Sequence, residues 1–296
     1  MKEKQFKGVF SAIFSLYDRE MHVKKGEVSR LVDYHLESGL NGFYVCGNTG
    51  ECSVLPENTR MEMLETVVSA NRGRGLIMAH VGATHFNRTK ELLDHANGQK
   101  IDAVASLPPA LKAYYNTDEC IDYYEWMAKN STHPVFAYVT NAVGDPVALA
   151  ERLAKIPNVG GIKLTICDYY AFSKITAATG DRLNILNGPD ETMICGLSVG
   201  ADGAIGTTYN YMASTAANIY ANFMKSDLKT ALSYQRKLNE YINLMFGSNI
   251  AKWKSSMRAL GFDVGYTVFP AREPTAEEYS LLYSSLQKIG IPELKQ

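Results

Sequence analysis

The chain has 296 residues, of which 46% are hydrophobic and 21% charged, a globular composition that can bury a sizeable core and lies outside that of disordered segments. Lys and Arg number 30 against 31 Asp and Glu, a formal net charge of -1, and no basic run is suited to a phosphate backbone, so nucleic acid is not the expected partner. No segment approaches the roughly 20 uninterrupted apolar residues of a membrane helix, so no membrane partner is expected and the chain is expected to be soluble.

Residues 1–17 imitate a signal peptide, because Lys2, Lys4 and Lys7 precede an apolar stretch that begins at Val9. Ser11 and Ser15 interrupt that stretch and no small-residue cleavage site follows, so the segment is expected to be a buried first strand. Cys46, Cys52, Cys120, Cys167 and Cys195 are odd in number, scattered and without C-x-x-C spacing. They read as free thiols of a reducing cytoplasm. The sequons Asn87-Arg88-Thr89 and Asn130-Ser131-Thr132, with no secretion signal, read as chance matches. His22, His35, His80, His85, His95 and His133 show no zinc-type spacing and read as structural or surface residues, so no metal is expected.

Short β-branched and aromatic runs that end in Gly, Pro, Asn or Ser alternate with longer segments of helical period, the pattern of βαβ units around a parallel sheet. Strands are expected at 8–17, 41–47, 75–82, 102–108, 134–140, 159–165, 184–188 and 201–207, which is the barrel number. A helix is expected over 56–71, with Pro56 in its first turn and Met61, Leu64, Val67 and Val68 as its core stripe. From Tyr211 the pattern is helical, with elements at 216–224, 228–246 and 252–260. The expected fold is an α/β, (β/α)₈ TIM barrel over 1–210, with a C-terminal helical extension over 211–296 packed on it as one structural domain. An open doubly wound sheet is the alternative, but no glycine-rich phosphate loop follows Ser15-Leu16-Tyr17.

Within Val159-Gly-Gly-Ile-Lys-Leu-Thr165, period-2 alternation sets Ile162 and Leu164 on the face toward the helices and Gly161, Lys163 and Thr165 on the interior face. A buried lysine either pairs with a carboxylate or becomes a nucleophilic amine, the requirement for Schiff-base chemistry. Snorkelling from a strand end is the bland alternative. Three other segments favour chemistry. Tyr138 ends the preceding strand, where its phenol can shuttle a proton to or from a hydroxyl or polarise a carbonyl. Gly47-Asn48-Thr49-Gly50-Glu51 follows the second strand and can turn tightly enough for its N–H groups to converge on a carboxylate. Asn187-Gly188-Pro189-Asp190-Glu191 ends the seventh strand, and Gly200 to Asn210 crosses the eighth. Asp190 and Glu191 fit helix capping as well as hydroxyl binding.

Taken together with Leu107-Pro108-Pro109, these segments resemble, in order and spacing along nearly the whole chain, the pyruvate-dependent class I aldolase family of N-acetylneuraminate lyase and dihydrodipicolinate synthase. The resemblance implies that Lys163 forms an imine with pyruvate, that Tyr138 is the acid/base phenol, and that Asn48, Thr49 and Gly50 hold the pyruvate carboxylate. Within the family, N-G-x-D-E is similar to the sialic acid lyases, which points to Gly188, Asp190 and Glu191, with Thr165 and Thr207, as contacts of a sugar tail. It implies cleavage of N-acetylneuraminate or a related sugar acid to pyruvate and an aldehyde, no cofactor beyond the covalent imine, and a homotetramer built as a dimer of dimers.

The chain departs from the family pattern in three places. Asn48 stands where Ser or Thr is common, Tyr138-Val139-Thr140-Asn141 replaces Tyr-Asn-x-Pro, and Ala110-Leu111-Lys112 sits where an aromatic proton relay is expected, ahead of Tyr114 and Tyr115. No arginine follows Tyr138 within 139–145, which sets dihydrodipicolinate synthase behind the lyase reading. The alternatives are another pyruvate-dependent aldolase or dehydratase, such as one acting on a 2-keto-3-deoxy sugar acid, and a 2-oxo-acid-binding regulatory barrel without turnover.

Overall fold

The computed structural model describes residues 5–107, 115–140 and 145–290. Eight parallel strands close into a barrel in sequence order: β1 (Gly8–Ala12), β2 (Gly42–Val45), β3 (Leu76–His80), β4 (Ala103–Ser106), β5 (Val135–Thr140), β6 (Val159–Thr165), β7 (Asn184–Asn187) and β8 (Gly203–Gly206). Each lies within an expected run, and β8 pairs back onto β1. The first strand is shorter than expected. Past Ala12 the chain rises out of the sheet, the Asn210 side chain accepts from Phe14 N at 3.0 Å, and Tyr17 makes only isolated bridges to Val23 and Gly265.

Helices α1 (Lys25–Glu37), α2 (Glu57–Asn71), α3 (Phe86–Asn97), α4 (Thr117–Asn130), α5 (Pro146–Leu153), α6 (Tyr169–Thr179), α7 (Met193–Ser198) and α8 (Ala213–Met224) surround the strands. The extension adds α9 (Leu228–Met245), α10 (Ile250–Ser256), which runs into a 3-10 turn at Met257–Leu260, and α11 (Ala276–Ile289). Pro56 is not inside α2: it is extended and precedes the first helical residue, because its fixed φ of -65° is combined with ψ of 154°. Leu64 and Val67 are buried along α2, while Met61 and Val68 are partly covered. The last helix starts at a reciprocal capping box between Thr275 and Glu278, a T-x-x-E signal that was readable in the sequence.

Period-2 alternation divides the core into two layers. Phe43, Val45, Val135, Ala137, Val139, Ile162 and Leu164 face the helices. Phe10, Tyr44, Met78, Phe136, Leu186 and Ile205 fill the barrel interior, and Phe6 plugs its lower end with its ring 4.7 Å from that of Phe136. Each such buried aromatic contributes roughly 1.5–3 kcal/mol. The lower end is thus sealed by apolar side chains, leaving polar groups to the C-terminal end of the strands. Among the described residues no helix is long and apolar enough to cross a membrane.

Candidate active site

Lys163 lies inside the barrel near the C-terminal end of β6 and is 8% exposed. Parallel register pairs it directly with Tyr138 of β5. Its ammonium lies between two aromatic faces, 4.4 Å from the ring centroid of Tyr138 and 4.6 Å from that of Tyr44. Among the described residues no carboxylate lies within ion-pair distance of it, and two aromatic quadrupoles face its charge. Sequence reasoning passed over Tyr44, although the alternation that turns Phe43 and Val45 outward turns Tyr44 inward.

After β2 the chain turns at Gly47–Glu51. Glu51 N and Cys52 N donate to the carbonyls of Asn48 and Gly47, and the N–H groups of Asn48, Thr49 and Gly50 take no part in closing the turn. Gly50 is required by close approach, since a Cβ there would lie 2.9 Å from Cys46 Cα. The Thr49 hydroxyl shares a 2.6 Å hydrogen bond with that of Thr207, which joins the turn to the end of β8 across the barrel mouth. Asn48 is exposed and its Oδ1 accepts from the Cys52 thiol at 3.5 Å.

On the β6–β8 side, Asp190 is buried, and its Oδ2 accepts from Thr208 N at 2.7 Å and from Thr208 Oγ1 at 2.6 Å. Burial raises its carboxyl to about 6, against the opposing pull of these two bonds and of Lys163. Asp190 and Glu191 open a 3-10 turn with no side-chain cap, so capping does not account for the pair. Asp190 fixes the β8 loop that carries Thr207, whereas Glu191 is exposed. Gly188 packs directly on Thr165, whose buried hydroxyl has no hydrogen-bond partner among the described residues.

A cavity of about 230 Å³ opens on the other flank of Tyr138, lined by Asn48, Cys52, Ser53, His80, Gly82, Ala83, Thr84, Leu107 and Thr140. His80 is held neutral, its basicity lowered by burial and by the charges of Arg60 and Lys163. Its Nε2 accepts from Leu107 N at 3.1 Å. The buried Arg60 donates to the carbonyls of His80 at 2.7 Å and Cys52 at 3.4 Å, tying the β2 and β3 loops together. Larger hollows occur elsewhere, of about 540 Å³ among α9–α11 and about 900 Å³ at the lower rim, but neither is lined by Lys163, Tyr138 or the turn after β2.

Lys163, Tyr138, Thr49, Thr207 and Asp190 thus lie toward the barrel mouth, Thr165 and Gly188 pack together where β6 and β7 end, and Asn48, Gly50 and Glu191 sit on the loops around it. Residues 108–114 and Asn141, where two of the family departures fall, lie outside the described residues, while Tyr115 is exposed. All five cysteines are free, and Cys46 and Cys52 are buried behind the turn. Among the described residues no group of three or more His, Cys, Asp or Glu is placed to share a metal ion.

Comparison with known proteins agrees with this fold. An N-acetylneuraminate lyase of Escherichia coli (strain SMS-3-5 / SECEC) is 30% identical over 247 residues, which are 82% of this chain and 83% of that one. Among solved structures, Proteus mirabilis N-acetylneuraminate lyase superposes with a TM-score of 0.90 at 25% identity, covering 97% of this chain and 99% of its own. The wild-type sialic acid aldolase of Ruminococcus gnavus superposes with a TM-score of 0.89 at 27% identity, covering 96% and 97%. The model of the dihydrodipicolinate synthetase family matches residues 5–289, and the chain belongs to that family.

Proposed function

We propose that this protein is a Schiff-base carbon–carbon lyase that cleaves N-acetylneuraminate, or a closely related sugar acid, to pyruvate and N-acetylmannosamine. The observation that carries the reading is the direct pairing of Tyr138 with Lys163 inside the barrel, with the amine 4.4 Å from the phenol ring and free of any carboxylate among the described residues. The names of the relatives at 25–30% identity support the same substrate class.

In this mechanism neutral Lys163 attacks C2 of the open-chain sugar acid, and Tyr138 gives its phenolic proton to the hydroxyl that departs as water, leaving a protonated imine beside a phenolate. The Tyr138 phenolate takes the proton of the C4 hydroxyl as the C3–C4 bond breaks, and the bond's electrons flow into the imine nitrogen to form an enamine. The aldehyde departs, C3 is reprotonated, and water hydrolyses the imine to release pyruvate. Thr49 and the Asn48–Gly50 amides hold the carboxylate, while Thr165, Gly188, Asp190, Glu191 and Thr207 shape the tail pocket. The iminium is the electron sink, so the reaction is assigned no cofactor. Residues 1–210 and 211–296 act as one structural unit, and we assign a homotetramer in a reducing cytoplasm, consistent with the free cysteines.

A second reading, an aldolase or dehydratase for 2-keto-3-deoxy sugar acids, is favoured by one feature: Asp190 already spends Oδ2 on Thr208, which leaves a tail pocket with fewer free acceptors. Pyruvate release measured across N-acetylneuraminate, 2-keto-3-deoxy sugar acids, and aspartate semialdehyde with pyruvate separates the readings. The highest kcat/KM is expected for N-acetylneuraminate. A preference for aspartate semialdehyde condensation would overturn the assignment.

A further inference from the structure

The turn after β2 ends on a residue that its own backbone disfavours. Glu51 has φ of 60°, a left-handed conformation that costs a non-glycine residue energy unless its surroundings hold it there. What holds it comes from the far end of the chain. Glu51 Oε1 accepts from Lys254 Nζ of α10 at 3.1 Å, and Oε2 accepts from the Tyr17 hydroxyl at 2.6 Å. The Lys254 and Glu51 side chains are 1% and 3% exposed. Lys254 also donates to Tyr266 O at 2.6 Å and lies 4.3 Å from the centroid of the Tyr17 ring. The Tyr17 hydroxyl in turn accepts from Val268 N at 3.2 Å, and its carbonyl accepts from Tyr266 N at 2.8 Å. One turn further in, the Ser15 hydroxyl donates to Gly50 O at 2.9 Å.

The charged and hydroxyl groups of this cluster are spent on one another and on backbone, not on the space beside Lys163. A buried ion pair is a poor device for stability alone, since well-packed apolar side chains of similar volume serve as well or better. It is a good device for fixing direction: two charged hydrogen bonds orient the Glu51 carboxylate, and with it the backbone of Asn48, Thr49 and Gly50 immediately before it.

We propose that Lys254, from the C-terminal extension, is a positioning residue for the substrate carboxylate, acting through Glu51 on the Asn48–Gly50 turn, with Tyr17 as its partner. The extension is then part of the 2-oxo acid site rather than only a cover for the barrel. This rests on the imine reading of Lys163, because the turn has a carboxylate to hold only if a 2-oxo acid is bound there.

The test compares two probes trapped on Lys163 by borohydride and read by peptide mass: pyruvate, and pyruvate methyl ester, which keeps the ketone and loses the anionic charge. In Lys254→Met the half-saturating pyruvate concentration rises about tenfold, the worth of one charged hydrogen bond to the turn, with the ester unchanged. Lys254→Arg, which retains the charge, recovers most of the loss. Tyr17→Phe removes the bond to Glu51 and the one from Val268 N without stranding a charge, and should raise the pyruvate value about threefold while staying folded. It keeps the proposal testable if Lys254→Met fails to fold. Equal pyruvate values in the parent and both folded variants, or equal rises for acid and ester, would overturn the proposal. A parent chain that traps neither probe on Lys163 would refute the imine reading itself, and that failure is recognised before any variant is made.

Discussion

Gly188→Ala tests the tail pocket most sharply, because its effect can be worked from the packing. A Cβ at 188 would lie 1.9 Å from Thr165 Oγ1, 2.9 Å from Thr165 Cβ and 3.1 Å from Thr165 Cα. The hydroxyl can rotate away at little loss, since it has no hydrogen-bond partner among the described residues. Rotation does not move the two carbon atoms, so the ends of β6 and β7 must separate by several tenths of an ångström. Overpacking of this kind costs about 1–3 kcal/mol. In a domain this large that lowers Tm by roughly 2–10 °C. If Thr165 lines the proposed tail pocket, KM for N-acetylneuraminate should rise about tenfold, equivalent to about 1.4 kcal/mol of binding. Pyruvate trapping on Lys163 should hardly change, because the carboxylate turn follows β2 and not β7. Thr165→Ala in the same background removes the hydroxyl but neither of those two carbon atoms, and should return little of the lost Tm. A Gly188→Ala protein with unchanged Tm and unchanged KM would refute the close packing of these residues and their place in the tail pocket.

Other outcomes follow from the same geometry. Tyr138→Phe should still form the pyruvate adduct yet lose about 10²–10⁴-fold in kcat, the usual worth of a positioned acid/base, and an undiminished kcat would remove the phenol from the mechanism. His35 is fully buried, its Nε2 is 3.1 Å from Asn210 O, and burial lowers its basicity from 6.5 to about 4. The unfolded chain therefore takes up a proton that the native chain refuses, so stability present above pH 6.5 falls away as pH drops toward 4, by about 3 kcal/mol. Urea titrations across that range should show the slope, and His35→Gln should flatten it. Asp190 has the opposite sign: with its carboxyl raised to about 6, the native chain holds a proton that the unfolded chain releases, so this group adds stability as pH falls from about 6 toward 4. Protonation also loosens its hold on Thr208, so kcat/KM should decline below about pH 6 in the parent and lose that limb in Asp190→Asn.

Much of this architecture was legible because it is local. Each strand is a short apolar run with its own boundary, and alternation within β5 and β6 was enough to aim Tyr138 and Lys163 at the same interior, where the parallel register pairs them. The same rule applied to β2 would have found Tyr44. The capping box at Thr275 and the helical spacing of Tyr279, Leu282, Leu286 and Ile289 would have found α11. Long-range chemistry was a different matter. Lys254 meets Glu51 across 203 residues, and no local pattern marks a lysine on an extension helix as the partner of a turn after β2. Asp190 was legible as an acid at a strand end, but its bond to Thr208 depends on how β7 and β8 close side by side. Arg60 is the least legible of all: a charged side chain on an amphipathic helix reads as solvated, yet it is buried against two backbone carbonyls.

The central claim is that one amine, on β6, forms the covalent intermediate. Incubation with N-acetylneuraminate and borohydride, followed by proteolysis and mass mapping, tests it directly. A single reduced pyruvyl adduct on Lys163, absent from Lys163→Ala, with loss of turnover in step with its formation, is the predicted result. An adduct on another lysine, or full inactivation with Lys163 unmodified, would contradict it.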